Sequence, residues 1–197
     1  MLPSPTSKAL LALCAGLLLA APVGGGTAVR MELPALVEGA DLILEGRVLR
    51  RRGVLDPARE RIETEYVLAV GRTFQGEPLA TRTVRLPGGV LPDGRGMVLP
   101  GLPELAVGEE AILFLARADA AGMRMPVGLA QGRFRVVTSA TGVRSLVREQ
   151  ADLHLLDPRT GVVSPAPHSA VFDYAATVEG IERAVAARRA RLHGGGR

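Results

Sequence analysis

The stretch RIETEYVLAVGRTF, Arg61 to Phe74, carries the clearest secondary-structure pattern in this chain of 197 residues. Every second position holds a residue suited to one buried face of a sheet: Ile62, Thr64, Tyr66, Leu68 and Val70. The residues between them are charged at the start and apolar towards the end. Because side chains of a strand alternate between two faces, the stretch predicts a long β-strand whose second half is covered on both faces.

Shorter runs with the same period lie on both sides of this strand. They predict further strands over residues 42–48, 83–86, 111–116 and 132–138. In the first run Leu42 and Leu44 share the buried face, and Glu45 and Arg47 lie on the other face, which is typical of a half-buried strand. The run 111–116 is apolar on both faces and therefore predicts a central strand.

The period changes near both ends of the chain. Apolar residues recur every three or four positions over a C-terminal segment: Val171, Tyr174, Val178, Ile181 and Val185. This spacing predicts an amphipathic helix, which we place over residues 169–193 with Ser169 or Asp173 as its cap and 194–197 as a tail. The arginines of its last turns suit the helix dipole, with contact to acidic lipid as the alternative. A short helix is predicted over residues 33–38, ending at Gly39.

Residues 1–28 read as a secretory signal peptide. Lys8 precedes an apolar run, Ala9 to Ala21, that is too short to span a bilayer and suits the core of a signal. Small residues at Gly26 and Ala28 favour cleavage after Ala28. We therefore expect an exported protein, periplasmic or extracellular, with no stable membrane span after cleavage. A permanent N-terminal anchor and lipidation at Cys14 are the alternatives.

Composition limits the chemistry of the exported chain. Cys14 is the only cysteine, so the mature chain would hold no disulfide, no thiol nucleophile and no thiolate metal ligand. The 24 basic residues are interleaved with 20 acidic ones, and aromatic residues make up 3% of the chain. This pattern does not indicate a nucleic-acid-binding patch.

One connection is unusually long for a small domain. PGGVLPDGRGMVLPGLPELAVGEE, Pro87 to Glu110, is dense in glycine and proline and is not expected to hold regular structure throughout. Loops of this length are usually functional or mobile. The segment is either a surface excursion whose apolar side chains cover the end of a barrel or a binding loop.

A second glycine-rich stretch is VGLAQGRFRVV, Val127 to Val137. A phosphate-binding loop would lead into a helix, but here Arg133 and Phe134 begin a strand with Phe134 facing inward. Gly128 and Gly132 are therefore expected to supply a bend, and Gln131 to satisfy backbone groups at the end of the barrel. The alternative is a binding loop in which Gly128, Gln131 and Gly132 contact a ligand.

Together these elements predict an α+β domain: a small, mostly antiparallel OB-like β-barrel with a short N-terminal helix and a C-terminal amphipathic helix. We assign residues 29–168 to the barrel, including the long loop 87–110. The C-terminal helix is expected to pack on or beside it.

The sequence also resembles a family. Its phrases resemble those of a group of uncharacterised exported bacterial proteins with a GLAQG-[KR]-F motif: ADLILEGRV (Ala40–Val48), YVLAVGRTFQGE (Tyr66–Glu77), VRLPGG (Val84–Gly89), LAVGEEAILFLA (Leu105–Ala116) and VGLAQGRFRV (Val127–Val136). The resemblance covers Leu33 to Val137 and implies no activity.

A looser similarity is to the netrin-like domains of tissue inhibitors of metalloproteinases, which are OB-type five-stranded barrels. In those inhibitors a cysteine at the mature N-terminus meets the zinc of the protease. The mature chain expected here has no cysteine. The similarity therefore implies the barrel and not that mechanism.

The leading functional hypothesis is a noncatalytic exported binding module with a protein partner, no cofactor and no catalytic residues, for which a protease- or envelope-associated role is one version. One alternative is a metal-dependent hydrolase that uses Asp152, His154 and His168, the only grouping with ligand-type side chains that stands out. A second alternative is nucleic-acid binding on an OB-type face, which requires exposed aromatic side chains with basic neighbours. The hypotheses differ in which side chains must be accessible.

Overall fold

The computed structural model describes residues 25–150 and 153–194, and these are mostly β-structure with two helices. The strands are β1 Gly26–Val29, β2 Leu42–Asp56, β3 Arg61–Gln75, β4 Thr81–Pro87, β5 Gly89–Val90, β6 Gly96–Met97, β7 Glu110–Leu115, β8 Arg133–Thr138, β9 Arg144–Glu149, β10 Leu153–Leu156, β11 Val163–Pro165 and β12 Ser169–Asp173. The helices are α1 Leu33–Gly39 and α2 Tyr174–Gly194, and Leu129–Gly132 forms a 3₁₀ turn. The predicted α+β class is confirmed.

Seven strands form the main antiparallel sheet, in the order β12-β9-β8-β7-β2-β3-β4. Strand β7 lies in the middle of this order, as its two apolar faces predict. A smaller sheet has the order β1-β10-β11, with β1 parallel to β10, and β5 pairs with β6 as a short ribbon. Every pairing in the seven-stranded main sheet is antiparallel, which agrees with the mostly antiparallel strand arrangement that the sequence predicts.

Each face of the main sheet carries its own apolar core. The helix-side core lies between the sheet and both helices and includes Ile43, Phe114, Phe134 and Ile181. The loop-side core lies on the opposite face and is built from β2, β3, β4, β7 and one loop residue: Leu42, Leu44, Val48, Tyr66, Leu68, Val84, Leu86, Leu105, Ala111, Leu113 and Leu115. Successive residues of the central strands therefore enter different cores, which explains why β7 is apolar on both faces.

The first half of β2 departs from the predicted half-buried pattern. Glu45, expected on an exposed face, is only 5% exposed. It is covered because the Tyr174 hydroxyl at the start of α2 donates to its carboxylate, with an O···O distance of 2.7 Å. Helix α2 thus buries a face that the local sequence marks as polar.

The OB-like barrel is not confirmed, because the described strands do not close on themselves. Strands β12 and β4 are the two ends of the main sheet and do not pair with each other. The segment 123–126 makes single bridges instead, from Met123 to Arg85 of β4 and from Pro126 to Leu115 of β7. Isolated bridges of this kind do not extend the sheet into a continuous ring of paired strands.

The C-terminal helix begins later than its apolar spacing predicts. Residues 169–173 form β12, which pairs with β9, so the prediction of a helix over residues 169–173 is wrong. Val171 is 71% exposed and is not part of the helical stripe. Asp173, one of the two predicted caps, accepts a hydrogen bond from the Ala176 backbone at 2.7 Å. The remaining stripe, from Val178 onward, packs into the helix-side core as predicted.

Most of the predicted signal peptide lies outside the described residues. Of residues 1–28, the structure describes only the last four, and Gly26–Ala28 belong to β1. Neither helix in the described part of the chain is both long enough and apolar enough to cross a bilayer. The predicted short helix near residue 33 is confirmed as α1, Leu33–Gly39.

Candidate functional site

The GLAQG bend, Gly128–Gly132, is a tightly packed turn. Gly128 has φ +66°, a left-handed conformation that favours glycine, and Leu129 follows with φ +60°. A Cβ atom on Gly132 would collide with the Val127 carbonyl oxygen and lie 3.1 Å from the Phe114 carbonyl oxygen. The two glycines are therefore required by the backbone, and β8 starts immediately after them at Arg133.

Gln131 of this bend is 1% exposed and uses its side-chain amide internally. Its Oε1 accepts from the Met31 backbone N–H at 2.9 Å. Its Nε2 donates to the Val29 carbonyl at 2.9 Å and to the Gly128 carbonyl at 3.1 Å. Both amide hydrogens are thus occupied, so Gln131 satisfies backbone groups, as the structural interpretation of the bend expects.

Loop 87–110 folds back over the open end of the loop-side core. The β5–β6 ribbon forms its tip, and Thr64 Oγ1 donates to the Gly88 carbonyl at 2.7 Å to hold its base. Gly53 of β2 lies so close to the Val90 carbonyl that no Cβ atom fits there. Leu105 enters the loop-side core completely. The loop is therefore anchored at its two ends and against β2.

Between these anchors the loop encloses a cavity of about 160 Å³, which we call the loop cavity. Apolar side chains from β4 and the loop form most of its wall: Leu86, Val90, Met97, Val98, Leu99 and Leu102. Val98 is 88% exposed and Val90 is 62% exposed, so the apolar wall continues onto the surface. Exposed apolar groups beside a concave site are typical of interaction surfaces.

Polar groups stand at the floor and the rim of the loop cavity. The Tyr66 side chain is 2% exposed, and its hydroxyl accepts from the Leu105 backbone N–H over 3.5 Å. Burial raises the pKa of Tyr66 above its usual value, so its hydroxyl stays protonated at neutral pH. At the rim, Arg51 pairs with Glu104 at 2.5 Å. The cavity thus combines an apolar wall with the hydroxyl-bearing side chains of two buried residues, Thr64 and Tyr66, and a paired charged rim.

The GLAQG bend and loop 87–110 contact each other. The Ala130 backbone N–H donates to the Gly101 carbonyl at 2.8 Å. A Cβ atom on Gly101 would lie 2.9 Å from Leu153 Cδ1 and 3.2 Å from Leu129 Cδ1. The structure therefore joins the two glycine-rich segments that the sequence singled out, with Gly101 as the point of contact.

Two of the three residues of the metal-dependent alternative, His154 and His168, lie in the described part of the chain. Asp152 lies outside the described residues. His154 lies half-buried in the middle of β10, and His168 is exposed just before β12, where its carbonyl accepts from the Gln150 N–H. Across residues 25–150 and 153–194, no three or more His, Cys, Asp or Glu side chains are grouped as metal ligands.

The aromatic residues are not arranged for nucleic-acid binding. Tyr66 and Phe134 are both 2% exposed, and the other four aromatic side chains are buried or half-buried. Phe134 contacts Phe114 and Phe172 within the core, with ring centroids 5.8 and 5.5 Å apart. Base stacking requires accessible aromatic rings, whereas these rings are buried or half-buried.

The arginines near the C-terminal end of α2 make contacts with other parts of the same chain. Arg188 donates to the Val37 and Ala40 carbonyls at the end of α1, and Arg189 donates to the Phe74 carbonyl. Arg191 pairs with Glu38. These contacts fasten α2 to α1 and β3, which accounts for the arginines without a lipid surface.

A charge network around the buried Glu45 is the feature that sequence reasoning missed. Arg144 of β9 pairs with Glu45 of β2 at 2.5 Å and with Glu110 of β7 at 2.6 Å, and its guanidinium stacks 3.9 Å from the Tyr174 ring centroid. Burial and the hydrogen bond to Glu45 raise the pKa of Tyr174. Because each carboxylate here is paired with an arginine, the network joins α2 to the sheet and is not arranged as a free acid–base pair.

No protein-family model and no curated protein matches this chain. The assignment of a function therefore depends on the geometry of the described residues.

Proposed function

We propose that this protein is an exported, noncatalytic binding module that holds a partner protein at the loop cavity. The observation that carries the proposal is the continuation of the apolar cavity wall onto the surface at Val98 and Val90. Elsewhere on the same end of the molecule, the GLAQG bend has its polar groups satisfied internally. The loop cavity is therefore the better candidate for a contact surface.

The chemistry of the cavity favours a partner that inserts an apolar side chain. A volume of about 160 Å³ accommodates one branched aliphatic side chain or one aromatic ring. The charged residue at the rim, Glu104, is paired with Arg51. An apolar centre inside a polar rim is the usual anatomy of a protein–protein interface.

We also infer that the loop-side core is the interior of a partly open, OB-like barrel. Strands β2 and β3 are 15 residues long, and their pairing shifts register at three places between Ile43 and Arg50. Such irregularities bend a sheet and increase its twist. The single bridges of segment 123–126 connect β4 to β7 around the same core. These features support a barrel with its loop end at the loop cavity.

The proposal is tested by selecting random peptides on the immobilised protein and comparing two variants. Val98→Asp places a charge at the cavity, and Val143→Asp places the same charge at a remote turn where Val143 is 61% exposed. Selected peptides should carry a large apolar residue. They should bind Val98→Asp about 10-fold or more weakly, since burial of one such side chain contributes about 1.5–3 kcal/mol.

Val143→Asp should bind the same peptides as the unmodified protein does. If no peptide is enriched, or if both variants lose binding equally, the loop cavity is not the contact surface. Enrichment of peptides that bind Val98→Asp unchanged would place the partner on another face.

A further inference from the structure

Strand β1 is built into the fold through its pairing with β10. Thr27, Ala28 and Val29 lie opposite His154, Leu155 and Leu156 in a parallel register. The Arg30 N–H extends this pairing by donating to the Leu156 carbonyl at 2.8 Å. Cleavage after Ala28, which the small residues favour, would remove all of β1 except Val29.

The residues that follow β1 in the chain are held by the GLAQG bend. Gln131 binds the Val29 carbonyl and the Met31 N–H, one on each side of Arg30. The buried Gln131 side chain makes three hydrogen bonds, one within the bend and two to this segment. These bonds fix the register of the segment against the bend. The segment leaving β1 is therefore hydrogen-bonded to the bend on both sides of Arg30.

Ala28 also covers a small apolar cluster, which we call the β1 cluster. Its buried members are Ala130, Leu153 and Leu155, and its half-buried members are Ala28, Leu129 and Ala166. Gly101 of loop 87–110 packs on two of these side chains, Leu153 and Leu129. The β1 cluster thus lies between β1 and the loop that forms the cavity.

Strand β1 also touches this loop directly. A Cβ atom on Gly26 would lie 2.7 Å from the Pro100 carbonyl oxygen, so the two backbones are in close contact. Pro100 and Gly101 separate Leu99 from Leu102, and both of these leucines form the wall of the loop cavity. The corner at Pro100 and Gly101 therefore has β1 and the β1 cluster behind it.

From these contacts we infer that processing keeps at least Thr27–Val29 of β1 in the exported protein, with the mature N-terminus at or before Thr27, and that this part of β1 holds the corner of the binding loop in place through the β1 cluster. Gly24 and Gly26 present the same small-residue spacing as Gly26 and Ala28, so cleavage after Gly26 satisfies the same requirement. The inference rests on the proposed export and the proposed binding role of the loop.

The first test is the intact mass and N-terminal sequence of the full-length chain after secretion from a bacterial host with its own leader. An N-terminus at Thr27 or upstream supports the inference. An N-terminus at Val29 overturns it, although export would stand. A chain that keeps Met1 overturns the proposed export, and β1 is then still present.

The second test asks whether β1 supports the loop, using two variants of the exported chain. Ala28→Glu places a carboxylate against the β1 cluster, whereas Thr27→Glu places it on the exposed side of the same strand. In Ala28→Glu, we expect hydrogen exchange to accelerate about 10-fold or more at Leu153–Leu156 and at Leu102, whose N–H donates to the Leu99 carbonyl across the corner at Pro100 and Gly101. Thr27→Glu should exchange as the unmodified protein does.

Unchanged exchange at Leu102 in Ala28→Glu, with faster exchange in β10, would show that β1 does not hold the loop. Equal acceleration in both variants would overturn the assignment of their faces and the inference with it. Peptide binding at the loop cavity is measured on the same samples. If Ala28→Glu speeds exchange in the loop but no peptide binds even the unmodified protein, the inference stands and the proposed function is rejected.

Discussion

The GLAQG bend and the cavity-forming part of loop 87–110 are both rich in glycine and meet at Gly101. They differ in whether their side chains are buried and hydrogen-bonded or exposed. In the bend, Gln131 is buried and its amide is fully engaged. In the loop, Val98 and Val90 remain exposed beside a cavity. Glycine content alone therefore does not identify a ligand site. What separates the two segments is whether the surrounding groups are satisfied by the protein itself.

The largest effect is expected from removing the side-chain hydrogen bonds of the bend. Gln131→Leu keeps most of the volume but leaves the Met31 N–H and the Val29 carbonyl without their partner. Because both backbone groups are partly buried, we expect a loss of about 2–3 kcal/mol in the free energy of unfolding, measured by denaturant titration.

Gln75→Leu is the matched control, since Gln75 donates a single side-chain hydrogen bond, to the Ala40 carbonyl. Its cost should be about 1 kcal/mol. If both substitutions cost the same, the Gln131 contacts add nothing beyond an ordinary hydrogen bond, and the proposed difference between bend and loop fails.

The sequence predicted the elements in which the spacing of apolar residues matches the side chains that are buried. Strand β3 and the inward side chains Val84 and Leu86 of β4 follow from alternation alone, because alternate side chains of both strands enter the loop-side core. The role of Gln131 also followed, since a polar residue between two bend glycines has backbone groups within reach.

Other features depended on residues far along the chain. Glu45 is buried by Tyr174, which lies 129 positions later, so no local pattern signals its burial. Val171 has helical spacing relative to Val178 but belongs to β12, because pairing with β9 decides its conformation. The loop cavity needs Thr64 and Tyr66 from β3 beside Val98 and Leu99 of the loop. Such pairings are tertiary, and short local windows do not contain them.

A second contrast comes from one substitution made at a glycine of each segment. Gly128 and Gly94 both have positive φ, +66° and +86°. A Cβ atom at Gly128 would lie 3.0 Å from Met31 Sδ and 3.1 Å from Gln131 Nε2, whereas one at Gly94 would meet nothing within 4 Å. Gly94→Ala should therefore cost about 1 kcal/mol for its backbone conformation alone, and Gly128→Ala about 2 kcal/mol.

The free energies of unfolding of these two variants are compared under identical conditions. Equal losses would mean that Met31 and Gln131 adjust freely around the added methyl group. The bend would then be as tolerant as the loop, which contradicts its close packing.

The smallest effect at neutral pH is expected from Tyr66→Phe, which removes the buried hydroxyl of the loop cavity. This hydroxyl accepts one long hydrogen bond, from Leu105 at 3.5 Å, so its loss should change the free energy of unfolding by about 1 kcal/mol or less. The contrast with Gln131→Leu then measures how differently the two segments use a buried polar group.

Alkaline pH separates the Tyr66 hydroxyl further. Burial raises the folded-state pKa of Tyr66 above the usual value of 10.0, so the unfolded chain loses this proton first as the pH rises. Stability linked to the protonated hydroxyl is complete below about pH 10 and declines as the pH rises through the folded-state pKa. Tyr66→Phe should therefore flatten the loss of stability above about pH 10. Tyr174, whose pKa is also raised, keeps a residual slope that Tyr174→Phe removes separately. If Tyr66→Phe leaves the alkaline pH dependence of the free energy of unfolding unchanged, the hydroxyl is hydrated in the folded protein. The floor of the loop cavity would then hold water, which favours a polar group on the partner in place of an apolar one.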